Sequence, residues 1–125
     1  MFDTPYVMQL AQRLARHAGA RQAQIAKNIA NADTPGYRAR DLASFSDAFR
    51  QSDLKATRAG HMQMASGAEA FRVVNVPGAT APNGNNVSLE EEMVRAATVR
   101  GSHDTALSVY KASLDILRAS LGRGR

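Results

Sequence analysis

Side chains that ionise, attack or ligate are few in this chain, and none is spaced for chemistry. The histidines are His17, His61 and His103. No two of them stand at the i, i+4 spacing that presents two imidazoles to a metal from one helix face. No carboxylate completes a recognised ligand pattern around them. They read as surface or seam histidines. Cysteine is absent, which removes thiol nucleophiles, disulfides and sulfur-ligated zinc. Ser88 and Ser102 lie in no nucleophile motif, and no Gly-x-Ser-x-Gly, P-loop or dinucleotide fingerprint occurs. Methionines such as Met62 and Met64 suit gap filling better than ligand binding. The expectation is a non-enzymatic protein with no catalytic residue, no cofactor and no metal.

Charge points to no strongly polar partner. Sixteen Lys and Arg against eleven Asp and Glu give a net charge of +5. The basic residues are spread along the chain, and the one block of like charge is Glu90–Glu92. A nucleic-acid binder more often gathers its basic residues into one stripe with aromatics between them, so no nucleic acid is expected as a partner. A small basic helical protein that binds nucleic acid or a partner helix is the competing class, and salt-sensitive affinity would mark it. Met1–Val7 has no basic segment leading into an apolar run, so no cleavable signal is expected. No stretch approaches the ~18 apolar residues that span a bilayer, and no direct membrane span is expected.

At 125 residues the chain has material for a single domain. Apolar residues make up 44%, aromatics only 6%, and there is no Trp. Alanine carries much of the apolar share, which suits long, thin helical packing better than a thick core. Three zones follow: an N-terminal helix (1–32), an irregular middle (33–87) and a C-terminal helix (88–122). The first helix is expected from about Pro5 to Ala32, with Thr4 as its cap. Val7, Leu10, Leu14, Ala18, Ile25 and Ile29 mark one apolar face. It should stop before Thr34-Pro35-Gly36, because a residue preceding Pro is pushed out of the α region. Pro35 and Gly36 together suit a type II turn.

The second helix opens on a capping box, Ser88-Leu89-Glu90-Glu91, and its three glutamates complement the helix dipole. Val87, just before the cap, is placed to pack near Met93. Met93, Ala96, Arg100, His103, Leu107, Tyr110, Leu114, Leu117 and Leu121 then alternate three and four apart as a heptad seam. Arg100, Gly101 and His103 interrupt it and mark 101–104 as the place for a kink or break. Gly122 and Gly124 close the helix, with Arg118, Arg123 and Arg125 suited to its C-terminal end. In the middle, Leu42, Phe45 and Phe49 share one face of a short helix with Ser44 as cap, and Phe71–Val76 reads as a strand. The fold class is mainly α: two long terminal helices pair as an antiparallel coiled-coil-like hairpin around a middle with a short helix and a short β segment.

An Ala-rich hairpin has one mutual face and buries little area, whereas ordering it costs over ~1 kcal/mol per residue. Two outcomes stay open on pattern alone. The helices complete their burial against other chains, or 42–50 supplies the third helix of a small monomeric bundle.

Asn28-Ile29-Ala30-Asn31-Ala32-Asp33-Thr34-Pro35-Gly36-Tyr37-Arg38-Ala39-Arg40-Asp41-Leu42 resembles the N-terminal signature of the flagellar axial proteins, the rod and hook family, and stands at the family's usual place at the end of the first helix. Its core is Ala30–Tyr37, with Asn31, Thr34, Pro35, Gly36 and Tyr37 at the turn. Gly84–Met93, the run Arg38–Leu42 and the short length are similar to the proximal-rod branch of that family. The other short member, FlgC, is the nearest alternative. The resemblance covers about 1–42 and 84–121, with a weaker match over Thr57–Met62, and it departs at His103, where an aromatic is expected.

The resemblance implies a structural rod subunit of the flagellar basal body that transmits torque and supports motility. It implies self-association with copies of itself, and as partners the rod proteins FlgC, FlgF and FlgG, the junction protein FliE and the basal-body ring. It also implies passage through the flagellar type III export apparatus without a cleavable signal, to a place in the periplasm. Under that reading Val7, Leu10, Leu14, Ile25, Ile29, Met93, Leu107, Tyr110, Leu114, Leu117 and Leu121 supply packing for assembly.

Overall fold

The computed structural model describes the backbone over 3–56 and 71–122, and the side chains over 6–50 and 71–122. The readings at Thr57–Met62, His61, Met64, Arg123 and Arg125 lie outside these residues. Along the chain run α1 (Asp3–Ala30), β1 (Arg40–Leu42), α2 (Phe45–Ala56), β2 (Val73–Asn75) and α3 (Leu89–Gly122).

α1 begins at Asp3, so Thr4 lies inside its first turn and does not precede it as a cap. It ends at Ala30, two residues before the expected Ala32, because Asn31 competes for its last carbonyls. The Asn31 side-chain amide donates to Lys27 O at 2.8 Å, and its backbone N–H is shared between Lys27 O and Asn28 O, both at 3.2 Å. That sharing tightens the last turn.

α3 runs unbroken through 101–104 for 34 residues. Gly101 costs about 1 kcal/mol relative to Ala, which is too little to interrupt a helix of this length. The capping box closes on one side only. Ser88 Oγ accepts the Glu91 N–H at 3.4 Å, but the Glu91 carboxylate turns to Arg95 at 3.3 Å.

The two long helices pack along their lengths and run antiparallel. Asn85, just ahead of α3, bonds the carbonyls just beyond α1, and Ile25 near the end of α1 clusters with Val99 near the start of α3. Their contact is built from two ladders of mostly small side chains, each repeating every seventh residue. Ala11, Ala18 and Ile25 are buried on α1, and Glu92, Val99, Ala106 and Ser113 on α3. The expected α3 seam is therefore rotated by one position. Its half Ala96, His103, Tyr110 and Leu117 is partly buried beside the inner ladder. Met93, Arg100, Leu107 and Leu121 face outward, with Met93, Leu107 and Leu121 being 67, 51 and 77% exposed. Leu114 is half-buried. The reason is steric: alanine and serine let two backbones approach more closely than leucine does, so the small ladder takes the inside. On α1, Ile25 is buried, Val7, Leu10 and Leu14 are half-buried, and Ile29 is 40% exposed.

Glu92 is fully buried in the inner ladder. One carboxylate oxygen accepts from Arg95, and Oε2 has no hydrogen-bond partner among the described residues. Replacing a buried ion by an apolar group of like volume is often neutral or stabilising.

The middle is partly as expected. Ser44 caps α2: its Oγ accepts the Asp47 N–H at 3.2 Å. Leu42 belongs not to that helix but to β1, which pairs antiparallel with β2, Leu42 opposite Val73 and Arg40 opposite Asn75. β1 was hidden because three residues, Arg-Asp-Leu, carry no alternation a pattern can register. α2 meets α1 through Phe45, whose ring lies 5.7 Å from that of His17, but among the described residues no broader packing on α1 or α3 makes it the third helix of a bundle.

Filling the inner ladder should force the helices apart. Ala106→Leu or Ala18→Leu is expected to lower stability by about 1–3 kcal/mol. Gly101→Ala, where nothing lies within 4 Å of an added Cβ, should raise it by about 0.5–1 kcal/mol. Thermal melts followed by circular dichroism measure both.

Candidate functional site: the asparagine elbow

Where α1 ends the chain must reverse, and two turns meet there. Thr34–Tyr37 closes through Tyr37 N–H to Thr34 O at 3.2 Å, with Gly36 at φ 75°. This is the geometry of a type II turn, with Pro35 presetting the position before the glycine. The second turn, Ala81–Gly84, closes at 2.9 Å and leaves Gly84 at φ 85°. Gly36 N–H donates to Asn83 O at 2.9 Å. A Cβ on Gly84 would stand 3.3 Å from Gly36 Cα. Gly84 is thus needed both for its backbone angle and for the closeness of the turns, and Gly36, where an added Cβ would meet nothing within 4 Å, for its angle alone.

Three asparagines lock this elbow. Asn28, fully buried, donates to Arg40 O at 2.7 Å, and its Oδ1 accepts from Tyr37 Oη at 3.1 Å and from Arg40 N–H and Gln24 Nε2, both at 3.2 Å. The side-chain amide of Asn85 reaches three carbonyls at the end of α1, Asn31 and Ala32 at 2.8 Å and Thr34 at 2.9 Å. Its Oδ1 accepts Val87 N–H at 2.8 Å. One residue therefore ties together the turn that follows the first helix and sets the approach to the second. Asn86 accepts the Ala39 N–H at 2.6 Å and donates to Val76 O at 3.0 Å, which ties the elbow to the two-stranded ladder. An asparagine suits each place because it alone of the small side chains offers two donors and an acceptor together.

A second set of contacts fastens β1 to α1. Arg21 grips Asp41 through two parallel bonds of 2.9 Å, the bidentate geometry that makes such pairs strong. Burial alone would raise the Asp41 pKa. The bonds from Arg21 and from Leu42 N–H, with the charges of Arg21 and Arg95, outweigh it and hold the carboxyl below its usual 3.8. His17 is 6% exposed. Its Nε2–H donates to Ala43 O at 2.7 Å, and its ring meets Phe45 and Phe71 edge-on at 5.7 and 5.1 Å. Nothing in this arrangement pairs a nucleophile with a base, and no group of three potential metal ligands occurs among the described residues.

Comparison with known proteins decides what the elbow belongs to. The sequence profile described as flagella basal body rod protein matches residues 16–38, which span the Arg21 and Asn28 side of the elbow and its Thr34–Tyr37 turn. The flagellar basal body rod protein FlgB of Agrobacterium fabrum is 30% identical over 114 residues, covering 85% of each chain. That of Aquifex aeolicus is 34% identical over 90 residues, covering 72% of each. The chain belongs to the FlgB family of flagellar basal body rod proteins.

Within this FlgB-family chain the turn residues are brought together. Asn28, Asn31, Thr34, Gly36 and Tyr37 are directly bonded, Pro35 stands inside the turn, and Ala30 is the last residue of α1. The heptad leucines are divided between the inside and the outside of the hairpin. Asn85 and Asn86 stood inside the family-like run Gly84–Met93 without an assigned role, and Arg21 and His17 stood in no motif. The only signal for the first two was the Asn-Asn pair ahead of the Ser88 cap. Nothing local to Arg21 or His17 marks their partners, which stand 20 and 26 residues away.

Removing a lock leaves buried partners unsatisfied. Asn28→Ala and Asn85→Ala are each expected to cost about 1–3 kcal/mol, and Gly84→Ala should also destabilise, all by urea titration. Because the Asp41 pKa is lower in the folded chain than in the unfolded one, its contribution is present above the unfolded value and lost as pH falls through the folded value. Stability should therefore drop on acidification below about pH 4. In Asp41→Asn that part of the acid dependence should be missing.

Proposed function

We propose that this chain is a structural subunit of the flagellar basal-body rod, acting as one unit over 1–125. Its role is mechanical. The observation that carries this reading is the distribution of apolar surface. The inner seam of the hairpin is thin, while large side chains stand outside it: Leu89, Met93, Val94, Leu107, Ile116 and Leu121 of α3 are 51–77% exposed. They fall on two sides of the helix, Met93, Leu107 and Leu121 on one and Val94 and Ile116 on the other, since nine residues turn a helix by about two and a half turns. Each row of exposed apolar side chains offers a surface for association. No helix among the described residues is long and apolar enough to cross a membrane, so protein is the natural cover.

The elbow gives such a subunit a fixed shape. It ties the exit of α1 to the approach of α3. Contacts between unlike surfaces that do not close on themselves generate an open filament, and coiled-coil seams supply its adhesion. In this reading Val7, Leu10, Leu14, Ile29 and the outward leucines of α3 transmit torque between neighbours. The neighbours are further copies, the rod proteins FlgC, FlgF and FlgG, the junction protein FliE and the ring at the base. Delivery runs through the flagellar export apparatus without a cleaved signal, to the periplasm.

Complementation of a strain lacking the gene tests this. The wild-type chain should restore swimming and a rod in isolated basal bodies. Val94→Asp/Ile116→Asp, on an exposed face of α3, should restore neither while the protein accumulates and stays helical. A normal rod built from that double variant would contradict the assembly role of the outer surface.

A further inference from the structure

The outward ladder of α3 has a symmetry that the hairpin does not use. Met93, Arg100, Leu107, Leu114 and Leu121 stand seven residues apart, Leu114 half-buried and the other four exposed. Beside them lie Asp104, Lys111, Asp115 and Arg118, exposed like Arg100. Arg100–Asp104 and Lys111–Asp115 have the i, i+4 spacing of helix ion pairs, yet neither pair is bridged among the described residues. Both run base before acid, the weaker orientation within a helix. These charges are therefore free for another chain.

We infer that this face binds the same face of a second copy of the chain, antiparallel, about a two-fold axis at Leu107. A patch that meets itself must obey a two-fold. A two-fold along the helix sets Arg100 on Arg100 and Asp104 on Asp104. A two-fold across it at Leu107 brings Arg100 to within one residue, about 1.5 Å of helix rise, of level with Asp115 of the second copy, and Asp104 likewise with Lys111, and by symmetry each pair occurs twice. No like charges meet in that arrangement. The apolar rungs fall into place on the same axis: Leu107 meets Leu107, Met93 meets Leu121, and the aliphatic stem of Arg100 lies along Leu114. This is an antiparallel coiled-coil seam with charged flanks.

The contact closes on itself, so it cannot propagate a filament. It describes a dimer of free subunits whose outer α3 face is covered, and it stands apart from the rod reading. A chain that builds a rod in vivo but never dimerises when purified would sink this inference alone.

The full-length chain in analytical ultracentrifugation tests it. The wild type should show a concentration-dependent monomer–dimer equilibrium. Asp104→Lys, which turns two attractive pairs repulsive, should weaken it by about tenfold. Asp104→Lys/Lys111→Asp should restore it, because the exchange rebuilds the antiparallel pairs. Since the chain has no cysteine, Leu107→Cys should form a disulfide-linked dimer under mild oxidation, and Lys111→Cys, displaced from the axis, should not. Circular dichroism should show all variants equally helical, since the substituted positions are exposed. A strictly monomeric wild type, an exchange variant as weak as Asp104→Lys, or equal cross-linking at both cysteines would overturn the antiparallel contact.

Discussion

The structure depends on one constraint: two long helices meet through alanine and serine. Ala11, Ala18, Ala106 and Ser113 are buried, but each removes little apolar area from water, and only Ile25 and Val99 add bulk to the central cluster. At about 25 cal/mol per Å² such a seam gives close approach rather than large stabilisation. Close approach is useful in a stiff shaft element, since it leaves little room for side chains to rearrange. It also leaves the larger side chains outside, where they need another surface.

A seam of similar small rungs is poor at choosing its own register, because a slip of one heptad again sets small residues against small. The elbow supplies what the seam lacks. Asn85 ties the exit of α1 to the approach of α3, Asn28 ties α1 to β1, and the Gly36–Gly84 contact holds the two turns together. Fixing one end of an antiparallel pair fixes the whole pair. Glu92, buried at the same end with one oxygen unpaired among the described residues, acts in the same sense: moving it along the seam would set a carboxylate against apolar rungs without Arg95's present geometry. Such polar groups contribute specificity more than stability.

Much of this was legible in the sequence, and the failures are instructive. Thr34-Pro35-Gly36 and Ser88 announced their turn and cap because local backbone chemistry decides them. The existence of α1 and α3 followed from periodicity, and family resemblance gave the rod assignment from Asn28–Leu42 and Gly84–Met93. The face of α3 was misjudged by one position because the larger side chains drew the seam, whereas the shape of the contact favoured Ala106 and Ser113. β1 and the Arg21–Asp41 pair depend on residues 20 apart meeting in space, and no single-sequence pattern carries that information.

The central claim is that the outer surface of the hairpin is completed by other chains, so the helices should be firmer in company than alone. The most direct measurement is amide hydrogen exchange on the purified chain across a wide range of concentration. Protection of α1 and α3 amides that falls on dilution, with the elbow around Asn28 and Asn85 the last region to open, is the predicted result. Equal, strong protection of both helices at every concentration would contradict it, because the hairpin would then be self-sufficient.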